Sequence, residues 1–142
     1  MYDNISVVVP ALDRNQYYSN GDLVAFGDTT LLEWKISQVL GFARKENVYV
    51  STPSDKIIDL AKKFGVNFIK RDQGNDLSQW IKESVEPIEN EFILWTHVTS
   101  PFISTNDYQC MLKKFFDLPK DYDSLITVYK ESEYVFYQGA PL

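Results

Sequence analysis

Ile5-Ser6-Val7-Val8-Val9-Pro10 decides how this chain folds. The run is short, β-branched and closed by proline, as expected of a buried parallel strand. Residues 11–29 follow, too rich in Asp, Asn, Tyr and Gly to continue it. Thr30-Leu31-Leu32-Glu33 then has capping-box spacing, with Glu33 placed to bond back to the cap. Leu32, Ile36, Val39 and Leu40 recur at helical intervals, so this helix is expected to turn an apolar face to a sheet.

The strand-helix unit repeats along the chain. Residues 47–51 read as a second strand, and Ser54 caps a helix whose Ile57, Ile58, Ala61 and Phe64 form one stripe. Gly65 stands where the end of that helix needs a left-handed residue. Residues 66–69 read as a third strand. Leu77, Trp80, Ile81 and Val85 mark a third helix that stops near Pro87. Residues 92–96 make a fourth strand. Tyr108, Met111, Leu112, Phe115 and Phe116 give a fourth amphipathic helix before Pro119, and Cys110 is expected on or near its apolar face. Residues 124–129 read as a fifth strand and residues 134–137 as a sixth candidate. Such alternation predicts an α/β fold with right-handed crossovers, a mostly parallel sheet and helices on both faces, as one domain over residues 1–142.

Composition narrows the function classes. The 142 residues are 44% hydrophobic and 24% charged, within the ordinary globular range. A net charge of −6 argues against a nucleic-acid partner, which needs clustered Lys and Arg. It leaves room for a small phosphorylated ligand, held by backbone N–H groups and a few local cations. Cys110 is the single cysteine and no leader-like segment opens the chain, so a cytoplasmic setting is expected. The longest apolar runs are strand-sized, and no membrane partner is expected.

Open α/β sheets bind ligands beyond the carboxyl ends of their strands. Three segments therefore stand out: residues 11–29, 70–79 and 97–105. Val9-Pro10-Ala11, then Phe26-Gly27-Asp28-Thr29-Thr30-Leu31-Leu32-Glu33-Trp34, resembles the opening of the CMP-sialic acid synthetases, the acylneuraminate cytidylyltransferases. Val48-Tyr49-Val50-Ser51-Thr52 with Asp55, Ile58, Ala61 and Phe64-Gly65-Val66 resembles the second unit of that family. Phe68-Ile69-Lys70-Arg71 resembles the next strand, and Val98-Thr99-Ser100-Pro101-Phe102 the Thr-Ser-Pro turn after the fourth. Asp123-Ser124-Leu125 with Thr127-Val128 resembles the strand that comes next.

The resemblance spans nearly the whole chain and implies the amino-terminal part of a three-layer, Rossmann-like nucleotidyltransferase fold. It also implies an activity: transfer of CMP from CTP to a sialic-acid-type sugar acid in polysaccharide biosynthesis. Mg²⁺ is the implied cofactor, its acidic ligands lying in the second half of the longer family chain together with a dimerisation arm, so a homodimer is the implied assembly. The implied substrate-binding residues are Pro10, Ala11, Arg14, Gln16, Asp22, Arg71, Ser78, His97, Thr99 and Ser100.

The first loop departs from the family pattern. Leu12 and Asp13 stand where the family has Arg followed by Gly or a cation, and Arg14 is the only cation between Ala11 and Thr29. Asp22 replaces a family Asn that helps read the base. Two carboxylates facing a triphosphate would repel it, so Asp13 and Asp22 count against CTP.

Each candidate has a plainer reading beside the functional one. Arg14 can be a solvated loop cation, Arg71 a surface partner of Asp72, and Ser78 a helix cap within Asp76-Leu77-Ser78. His97 stands alone without a paired carboxylate or cysteine, and reads as a residue lining a ligand site. Thr99 and Ser100 serve equally to cap the turn before Pro101. Asp28 reads as turn chemistry with Gly27. Tyr17-Tyr18 either stack on a base or pack on the helix below.

Two other functions stay open. One is a catalytically inactive relative acting as a binding or interaction module, for which the depleted loop speaks. The other is a family-two-like glycosyltransferase, whose strands also start as Ile5–Pro10 does. Trp95-Thr96-His97-Val98-Thr99 offers no carboxylate for the metal motif of those enzymes.

Overall fold

The computed structural model describes residues 3–74, 76–128, 136–137 and 140–141. The chain divides into two compact units, Met1–Cys110 and Met111–Leu142, although no linker composition marks the division. The boundary falls inside a helix.

In the first unit, β1 (Ile5–Pro10) is buried along its whole length. A short 3-10 turn (Gly21–Leu23) and a hairpin of β2 (Ala25–Phe26) and β3 (Thr29–Thr30) occupy the long polar stretch, with Gly27 at φ 61 in the turn beside Asp28. Helix α1 (Leu31–Leu40) starts on the expected capping box: the Glu33 amide donates to Thr30 Oγ1, and the Thr30 amide donates to the Glu33 carboxylate. Then come β4 (Val48–Thr52), α2 (Asp55–Phe64), β5 (Asn67–Lys70), α3 (Leu77–Val85), β6 (Phe92–Trp95) and α4 (Thr105–Phe116). Gly65 ends α2 at φ 70, a conformation that costs glycine little.

The four long strands form one parallel sheet in the order β5-β4-β1-β6. The chain runs outward from β1 through β4 to β5, then returns past β1 to β6. With right-handed crossovers this places α1 and α2 on one face and α3 on the other. The reversal beside β1 is a topological switch point, where such sheets open a crevice. Leu32, Ile36 and Val39 of α1 and Ile57, Ile58 and Ala61 of α2 join Val7, Val8, Val9, Val48 and Val50 in the core. Among the described residues no helix is long and apolar enough to cross a membrane.

Several expectations are corrected. The third helix forms as expected, as α3, but its stripe is partly open to solvent, with Leu77 58% exposed and Ile81 exposed as well. Helical spacing identifies a face but not what covers it. Cys110 is exposed rather than packed in the core. Ser54 holds the position before α2 without capping it, because its hydroxyl donates to Asp13 instead. Residues 124–128 form no strand, and Tyr129 lies outside the described residues. Of the sixth candidate only Phe136–Tyr137 is described. It forms β7, paired antiparallel with β8 (Ala140–Pro141) in a separate two-stranded sheet.

Candidate functional site

A cavity of about 620 Å³ opens at the carboxyl ends of β1, β5 and β6. The chain leaving β1 contributes Pro10, Ala11, Leu12, Arg14, Asn15, Gln16 and Tyr17; the chain leaving β5 contributes Arg71, Gln73 and Gly74; the turn after β6 contributes His97, Val98 and Thr99. Asp22 and Trp80 complete the wall.

The first loop is folded back on itself. The Asp22 amide donates to the Leu12 carbonyl at 2.8 Å, and the Leu12 amide donates to Asp22 Oδ2 at 2.8 Å. Gly21, at φ 50, packs so tightly on residues 12–14 that a Cβ there would collide with Leu12 O and Arg14 N. Asp22 is only 8% exposed. Burial raises its carboxyl above the usual range, opposed by the Leu12 amide bond and by nearby His97. Asp13, by contrast, accepts the Ser54 hydroxyl at 2.7 Å and does not line the cavity. Of the two carboxylates expected to repel a triphosphate, Asp22 alone stands in the wall.

Arg71 is 7% exposed and sits over the Trp80 ring, its guanidinium carbon 4.7 Å from the centroid. One Nη donates to the Asp72 carbonyl at 3.4 Å, and Nε has no partner. The surface pair with the Asp72 carboxylate is therefore not what forms. Burial lowers the guanidinium's affinity for its proton, with Glu83 acting the other way. A cavity-lining guanidinium with free donors and a stacked aromatic face suits a bound anion. Trp80 also packs against Trp95, whose indole N–H donates to His97 Nε2 at 3.3 Å and so orients the imidazole.

Behind the turn after β6 lies a feature that the sequence reading missed. Lys35 on α1 is fully buried, and its ammonium donates to the Ser100 carbonyl at 2.7 Å and to the Tyr108 hydroxyl at 2.8 Å. Tyr108 in turn shares a 2.5 Å hydrogen bond with Thr96. The next carbonyl, Pro101, accepts from both Trp34 Nε1 and Gln38 Nε2. Three side chains of one helix thus hold two successive carbonyls of the turn.

The sequence model of the cytidylyltransferases matches residues 20–139. The chain belongs to the cytidylyltransferase family. No curated protein sequence matches it significantly. A cytidylyltransferase from Leptospira borgpetersenii serovar Hardjo-bovis is similar, at 25% identity and a TM-score of 0.67, over 81% of this chain and 50% of the other. A CMP:2-keto-3-deoxy-manno-octonic acid synthetase complexed with CTP superposes with a TM-score of 0.71 at 18% identity, over 82% of this chain and 48% of the other. The bifunctional IspDF from Campylobacter jejuni gives a TM-score of 0.75 at 18% identity, over 97% of this chain and 36% of the other. These last two likenesses establish the fold. The chain thus spans half or less of each of these structures.

In this cytidylyltransferase-family chain, Pro10, Ala11, Arg14, Gln16, Asp22, Arg71, His97 and Thr99 come together around the cavity. Ser78 and Ser100 do not line it. Asp76, not Ser78, caps α3: its carboxylate accepts the Ser78 and Gln79 amides, and Ser78 is exposed in the first turn. The Ser100 carbonyl is taken by Lys35. Arg14, Tyr17 and Tyr18 are exposed, and Tyr18 is not among the lining residues.

The fit of the implied Mg²⁺ can be tested on the same geometry. Among the described residues no three His, Cys, Asp or Glu side chains cluster to hold a metal ion. The cavity offers one carboxylate, Asp22, with an oxygen already engaged by the Leu12 amide. The described residues do not compose a magnesium site.

Proposed function

We propose that this chain is the nucleotide-binding half of an enzyme that transfers CMP from CTP to a sugar acid of the sialic-acid class, for use in polysaccharide synthesis. The observation that carries the reading is the cavity at the switch point of a cytidylyltransferase-family sheet, walled by a buried arginine with unused donors. Arg71 is the anion-binding group in this reading, with the exposed Arg14 as a second cation of the cavity lining. The chain from Ala11 to Tyr17 lines the side where phosphates approach in this reading, although the Ala11, Leu12, Asn15 and Tyr17 amides already donate within the protein. His97, held by Trp95, and Thr99 face the acceptor. In such a transfer the acceptor hydroxyl attacks the α-phosphorus in line and pyrophosphate leaves, so the protein's part is positioning and charge stabilisation.

The Asp22 carboxylate favours a second reading, a module that binds a ligand in this cavity without catalysis. Isothermal titration with CTP and with CMP-sugar tests the first step. Pyrophosphate release from CTP in the presence of a nine-carbon or eight-carbon sugar acid tests the second. Binding without pyrophosphate release supports the module; absence of both refutes the nucleotide reading altogether.

A further inference from the structure

We propose that Lys35 is a positioning residue of this nucleotide site: its ammonium, held between the Ser100 carbonyl and the Tyr108 hydroxyl, fixes the wall formed by His97, Val98 and Thr99 and couples nucleotide binding to its own protonation. The inference rests on the reading of the cavity as a nucleotide site.

Lysine is seldom fully buried, and a buried ammonium is ordinarily paired with a carboxylate. Lys35 has no ion-pair partner among the described residues. Its two contacts are neutral oxygens, and the Tyr108 ring lies 5.1 Å away. The charge is therefore stabilised by dipoles alone, one of which belongs to the residue next to cavity-lining Thr99. A neutral amine can still donate, but more weakly, and the carbonyl it holds is then freer to move. Burial draws the ammonium's pKa down to about 8, which brings the change within reach of ordinary buffers.

The surroundings leave Lys35 as the group that titrates at this wall on the alkaline side of neutrality. Tyr108 on α4 is displaced upward by burial, away from the window, with Asp107 adding to the shift. Glu33 on α1 is held ionised by Thr29 and Thr30, while burial raises the Asp22 carboxyl on the loop packed against α1, opposed by the Leu12 amide. His97 stands on the turn itself. A polyanion entering the cavity favours the charged form of Lys35, and by linkage the charged form favours the polyanion.

The test is CTP affinity by isothermal titration between pH 7 and 9.5, for wild type, Lys35→Met and Tyr108→Phe, with thermal melts confirming folding. The wild-type affinity is expected to fall about tenfold across the window, while Lys35→Met binds about tenfold more weakly at pH 7 and shows no alkaline fall. Tyr108→Phe removes an acceptor from the ammonium, so its fall is expected at lower pH. It also keeps the proposal testable should Lys35→Met fail to fold. Wild type and Lys35→Met profiles that run in parallel, or a Tyr108→Phe profile that coincides with wild type, overturn the positioning role alone. Absence of CTP binding by wild type at every pH overturns both this role and the nucleotide reading.

Discussion

Replacing Arg71 by methionine should move stability and ligand binding in opposite directions. In the free protein Arg71 is 7% exposed, and its guanidinium makes one long hydrogen bond of 3.4 Å and leaves Nε without a partner. A buried donor left unsatisfied costs about 1–3 kcal/mol. Against this stands the cation–π contact with Trp80 at 4.7 Å, worth about 1 kcal/mol. Methionine keeps most of the packing on the indole and removes the orphaned donor. The attraction to Glu83 is lost as well, but that carboxylate is largely in solvent and contributes little. The net is a gain of about 1 kcal/mol for the ligand-free protein, or roughly 3–5 °C in Tm for a unit of this size. With CTP the balance reverses. A charge-assisted bond to phosphate contributes about 1.5–3 kcal/mol, so affinity should drop by about tenfold to more than a hundredfold. Differential scanning fluorimetry with and without CTP, together with titration calorimetry, reads both arms. A variant that melts below wild type without nucleotide, and binds CTP as tightly, refutes the assignment of Arg71 as a preformed anion site.

Asp22→Asn keeps an oxygen for the Leu12 amide and removes a charge from the wall. Because burial raises the folded-state pKa above the unfolded value, the folded protein holds this proton more tightly. Wild type should therefore lose stability as pH rises from the unfolded pKa through the folded one, whereas the variant stays flat in that window, as acid-to-neutral melts will show. The same variant should bind CTP more tightly by about 1 kcal/mol, roughly fivefold. Gly21→Ala places a Cβ against Leu12 O and Arg14 N at a φ of 50, so it should destabilise by more than about 1 kcal/mol. Its parallel sheet should persist by circular dichroism while the CTP-induced rise in Tm is lost.

The parts of the fold that were legible in the sequence are those decided locally. Ile5–Pro10 reads as a buried strand because no other arrangement suits so short a β-branched run. Thr30 and Glu33 announce a helix start because the reciprocal bonds they make lie within one turn. Arg71 and His97 could be placed because an open sheet puts the ends of parallel strands side by side. Features that depend on distant partners were not legible. Leu77 and Ile81 repeat at helical spacing, yet their exposure depends on what packs over α3. Residues 124–128 have strand-like composition, yet a strand needs a neighbour to pair with. The Ser100 carbonyl meets a lysine from another element, a contact that its place in the Thr-Ser-Pro turn does not announce. Lys35 did leave a trace: it falls three residues after Leu32 and four before Val39, on the buried stripe itself. A lysine inside an apolar stripe invites the question of what holds its charge.

That question also bears on how the cavity could receive a triphosphate. Counted along residues 11–29, one cation faces three carboxylates, Asp13, Asp22 and Asp28, and the loop looks hostile to phosphate. In three dimensions Asp13 is drawn off by Ser54, and Asp22 is held by the Leu12 amide. The positive charges that matter stand elsewhere, on Arg71 in the wall and on Lys35 behind it, both buried and neither neutralised by a salt bridge. A charge in a poorly hydrated site acts on a nearby anion more strongly than one on a solvated loop, where water and salt screen it. Two fixed, under-paired cations can therefore stand in for several mobile ones. Arg71 is expensive to keep without a ligand, and for the same reason a phosphate chain that satisfies its unpartnered Nε gains more than the loop composition suggests.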